Sequence, residues 1–135
     1  MNIWTTIKTW FLGWFVSSKD LKIIDILEDI NEFIKLALVI VEKIDNELKP
    51  ELKRAASVGD SIDVYETVLK FLEQFKELSI NTVELANKVF EKPLPELLFT
   101  VAVELLKAYT GTNASLSALR LAVELAYNIY KKSKS

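Results

Sequence analysis

Asp25, Glu28, Asp29 and Glu32 stand at i, i+3, i+4 and i+7, which places four carboxylates on one side of a helix. At that spacing a carboxylate pair can share a divalent cation or divide the acid and base roles of a hydrolysis. Di-iron bundles complete such a set with Glu-x-x-His, and this chain has no histidine. Calcium loops need a glycine turn, and none lies near these residues. A glycosidase needs two carboxylates facing each other across a cleft. The four acids therefore read as a solvated acidic face, and no metal is expected.

The remaining chemistry is sparse. There is no cysteine, which removes disulfides, thiol catalysis and Cys–zinc sites. The missing histidine removes the Ser-His-Asp triad and the imidazole pH switch. Ser57-Val58-Gly59-Asp60-Ser61 lacks the lysine and second glycine of a phosphate loop, so it reads as a helix–helix connection. Asn113-Ala114-Ser115 matches the glycosylation triplet but reads as a helix cap. Only Arg54 and Arg120 supply guanidinium groups, which disfavours nucleic acid as a partner. Lys131, Lys132 and Lys134 form a basic cluster suited to the negative end of a helix dipole. The chain is expected to be non-enzymatic, without a cofactor and without an evident small-molecule substrate.

The N-terminus is where residue types point to a function. All three tryptophans lie within the first sixteen residues, beside Phe11 and Phe15. On a helix from Asn2 to Val16, the side chains of Ile3, Trp4, Ile7, Trp10, Phe11, Trp14 and Phe15 share one arc of about 140°. Each of the five rings offers roughly 150–250 Å² of buriable surface. Together they make a patch on the order of 1,000 Å², more than a monomer leaves in water. The arc must be covered by the chain's own bundle, by another subunit, or by a membrane interface. The opposite face is Thr5, Thr6, Thr9, Gly13 and Ser17, which suits close helix–helix approach better than attraction to anionic lipid. These seven residues are the candidate docking site, with protein favoured over lipid.

The elements that must position this segment read as an all-α bundle of five to six helices with a long central helix, about 20–48. Half the residues are hydrophobic, while only three glycines and three prolines punctuate the chain. Three units are expected: the amphipathic helix 1–17, a bundle 18–132 and a tail 133–135. In the central helix Leu27, Ile30, Ile34, Ala37, Val41 and Ile44 continue a heptad seam that begins at Ile23 and ends at Leu48. It serves either as a core seam within the chain or as an oligomer seam between copies. The run from Leu36 to Val41 is apolar all round, which predicts enclosure by neighbours.

Pro50 ends that helix or opens a short one, and Gly59 stops the next segment. Ile62, Tyr65, Leu69, Leu72 and Phe75 form the inner face of the following helix, with Val68 and Phe71 beside it. A break near Ser79 is favoured, with Asn81 and Glu84 as a capping-box variant. Pro93 and Pro95 start another helix with Leu97, Leu98, Val101, Ala102, Leu105 and Tyr109 inward, ending at Gly111. Thr112 or Asn113 caps the last helix, whose inward residues are Leu116, Leu119, Val123, Ala126 and Tyr130.

Neither of the longest apolar runs, Trp10–Val16 and Leu97–Val103, reaches the length of a transmembrane helix, and the N-terminus lacks the marks of a cleavable signal. A location inside the cell or within a larger assembly is favoured. The expected function is a structural or interaction protein, for example an accessory or assembly component of a phage or other particle. Its partner would be another protein or a second copy. The alternatives are a peripheral membrane protein anchored by the N-terminal helix, and a small regulatory or inhibitory protein whose acidic face binds a basic partner.

Overall fold

A computed structural model describes the backbone of residues 20–59, 61–111 and 115–134, and the side chains of these from residue 31 onward. The expected N-terminal helix lies outside the described residues. The described chain is all-α. Helix α1 spans Asp20–Lys43, and a π turn, Ile44–Leu48, joins it to α2, Lys49–Val58. Helix α3 is Ser61–Leu72, continued by a 3₁₀ turn, Glu73–Leu78. Then come α4 (Thr82–Val89), α5 (Leu94–Thr110) and α6 (Leu116–Lys134). No strand occurs among the described residues.

The predicted central helix is present, and the π turn shows what Pro50 does to it. Proline has no N–H for the carbonyl four residues earlier, and its ring crowds that carbonyl. The helix widens instead of stopping: the Lys49 N–H donates to the Ile44 carbonyl, five residues back. Pro50 then sits in the first turn of α2, where its missing N–H costs nothing. Leu48, Leu52 and Ala55 carry the buried stripe of α1 through the turn and along α2.

The other boundaries have equally local causes. Gly59 adopts φ +78°, a left-handed stop that an L side chain strains to reach. Ser79, also left-handed at φ 57°, makes the predicted break after α3. The Asn81 side chain accepts from the Glu84 N–H at 3.0 Å and caps α4. Gly111 closes α5. The cap of α6 is Ser115, whose Oγ accepts from the Ala118 N–H at 3.2 Å, in place of the Thr112 or Asn113 expected.

The core draws on α1 to α6. Helix α1 packs on α6 and α5, α2 pairs with α3, and α4 lies between α3 and α5. Val68, Phe71, Leu72 and Phe75 bury the inner side of α3 and its 3₁₀ turn. Leu97, Val101, Leu105, Leu119, Val123 and Ala126 do the same for α5 and α6. Among the described residues no polar or charged residue is buried. Three stripe ends depart from expectation: Ile62, Tyr109 and Leu116 are exposed. Each lies within a turn of a helix end.

One departure is larger. The apolar run Leu36–Val41 is not enclosed. Ala37, Ile40 and Val41 are buried, but Leu36 is 38% and Val39 66% exposed. Helices α5 and α6 cover one side of α1, and on the other side Leu36 and Val39 lie in solvent among Glu32, Lys35 and Glu42. No described helix is long and apolar enough to cross a membrane.

Candidate functional site

The π turn, the first turn of α5 and the C-terminal half of α6 enclose three sides of an open cavity of about 550 Å³. This lies within the size range of small-molecule sites, roughly 300–1,000 Å³. Ile44, Leu94, Pro95, Leu98 and Phe99 supply apolar wall. Four of these come from the α5 start, where Pro93 and Pro95 take the chain from an extended segment into a helix.

The polar groups come from the π turn and α6. Asp45 is the hub. Its Oδ2 accepts from the Tyr130 hydroxyl at 2.9 Å and from the Lys134 ammonium at 3.4 Å. Its Oδ1 pairs with the Lys49 ammonium at 3.5 Å. Partial burial pushes the Asp45 carboxyl up, but the Tyr130 and Lys134 hydrogen bonds, with Lys49, outweigh it and leave the group more acidic than an ordinary aspartate. The Lys134 ammonium also lies 4.8 Å from the centre of the Tyr130 ring.

Tyr127 is the unbalanced member. Its hydroxyl is buried and has no hydrogen-bond partner among the described residues. Burial, and then the negative charge of Asp45, pushes its ionisation far above the usual tyrosine range, so the phenol stays a protonated donor. Lys131 stands one turn further along the same face of α6 and lines the cavity as well. The lining thus sets an apolar wall beside three lysines and one aspartate. Among the described residues no cluster of acids is placed to hold a metal.

The groove between α2 and α3 differs in charge. Its walls carry Glu47, Glu51, Asp63, Glu66 and Glu73 against Arg54 and Lys70, with Leu48, Ala55 and Phe71 at its base. Arg54 is paired with Glu51.

The residues singled out from sequence fall elsewhere. Ile3, Trp4, Ile7, Trp10, Phe11, Trp14 and Phe15 lie outside the described residues. So do the side chains of Leu27 and Ile30, and of Asp25, Glu28 and Asp29. Ile34, Ala37, Val41 and Ile44 are buried by the chain's own helices. Glu32 is exposed and pairs with Lys35 at 3.7 Å. Sequence spacing does not join Asp45 to Tyr130 and Lys134, because it lies 85 and 89 positions from them. The signal was present only as the spacing of Tyr127 with Lys131 and of Tyr130 with Lys134, four residues each.

Fold and site together define a six-helix all-α bundle, over the described residues, with a cationic cavity beside a π turn. No family model matches this chain, and no curated protein or solved structure is significantly similar to it.

Proposed function

We propose that this chain is a non-enzymatic interaction protein that docks onto another protein subunit, through its N-terminal aromatic segment, as an accessory or assembly component. The observation that carries the reading is the outer side of α1, where Leu36 and Val39 lie exposed among Glu32, Lys35 and Glu42. A helix in a finished monomer presents polar residues on that side. Here, together with the aromatic arc of residues 3–15, it marks surface that needs a partner. A protein partner suits both: the arc is backed by Thr and Gly, and Leu36 and Val39 are flanked by Glu32 and Lys43.

Every tryptophan lies in the docking segment, so tryptophan emission from the full chain reports on that segment alone. The expected result is a mass that rises with concentration in light scattering, accompanied by a blue shift and loss of iodide quenching. The double variant Trp10→Glu, Trp14→Glu is expected to stay monomeric. A monomer whose tryptophans are already shielded at the lowest concentration would show that the chain's own bundle covers the arc, and the reading would fail. Shielding that appears only on addition of lipid vesicles would assign the arc to a membrane surface instead.

A further inference from the structure

We draw no further inference here: the strongest candidate, the acid-rimmed groove between α2 and α3, carries nothing because its floor of Leu48, Ala55 and Phe71 is already buried by the chain's own helices, which leaves a cluster of acidic residues with no second observation that points to a ligand.

Discussion

Within two turns of α1, Ala37, Ile40 and Val41 are buried while Leu36 and Val39 face solvent, although all five belong to one uninterrupted apolar run. Residue type does not separate the two groups. What separates them is which side of the helix α5 and α6 reach. The inner side is held by packing that already exists in the chain. The outer side has the same capacity for burial, roughly 1.5–3 kcal/mol for a side chain such as valine or leucine, and leaves it unused. The difference teaches that apolar composition states a need for contact, and topology decides whether the chain itself meets it. Where the chain does not, the surplus is a candidate interface.

The widest gap between the two sides is expected in their tolerance to truncation. Ile44 is fully buried at the end of the inner seam, where the π turn begins. Ile44→Ala is expected to destabilise the fold by about 2–5 kcal/mol, the sum of lost transfer energy and an unfilled cavity. Val39→Ala on the outer side is expected to change stability by no more than about 0.5 kcal/mol. Urea unfolding of the two variants beside the parent checks this directly. Equal losses would erase the distinction between the two sides and show that Val39 is buried in solution by something the isolated chain supplies.

Much of this frame was legible in the residues. The seam Ile34, Ala37, Val41 and Ile44 recurs at three- and four-residue steps, and that period alone places it on one helical face. Gly59, Asn81, Pro95 and Gly111 mark boundaries because each has a backbone requirement that local sequence expresses. Two kinds of information were not local. The exposure of Val39 depends on how many helices pack around α1, and a single helix's pattern does not count its neighbours. The Asp45 cluster depends on α1 and α6 lying side by side, and no periodicity within either helix announces that pairing. Pro50 is an intermediate case: its conflict with the helix is readable, but the π turn that resolves it follows from continuous burial of Leu48 and Leu52 on either side.

Asp45 sits at the edge between the two sides of the helix and supplies a pH-dependent contrast with the apolar seam. Its folded pKa is lowered below the ordinary value of 3.8, so the unfolded chain takes up the proton first as pH falls. The stabilisation is therefore fully present above the unfolded value and is lost as pH drops through the folded one. Asp45→Asn is expected to cost about 1.5–3 kcal/mol at neutral pH, the range for hydrogen bonds to a charged group. The gap between parent and variant should hold steady down to about pH 5 and close below pH 4. Urea unfolding across that range measures it. A gap that stays constant into acid would mean that the carboxylate charge contributes nothing. The Ile44→Ala loss, by contrast, should not vary with pH.

Tyr130→Phe sharpens the same edge with a smaller effect. It removes one hydroxyl that donates to Asp45 at 2.9 Å and keeps the ring beneath Lys134. The expected loss is about 1 kcal/mol, accompanied by a less acidic Asp45, because the phenol is the strongest of the influences lowering its pKa. NMR titration of the Asp45 carboxyl reads that shift independently of unfolding. An unmoved titration would assign the lowering to the lysines alone.

The smallest expected effect on stability falls on the outer side and carries the most information about function. Val39→Asp places a charge on an exposed position of α1 near Glu32 and Lys43, so stability is expected to move by no more than about 0.5 kcal/mol. Association is a different matter, because a carboxylate brought into an apolar contact must be desolvated without a partner. In the concentration series followed by light scattering, Val39→Asp is expected to reduce association in a chain that unfolds like the parent. Combining it with Trp10→Glu, Trp14→Glu then asks whether the outer side of α1 and the aromatic arc serve one interface. Residues that meet the same partner surface show effects that fall short of additive, whereas two separate surfaces add. Parental association in Val39→Asp alone would leave the aromatic arc as the docking element and remove α1 from it.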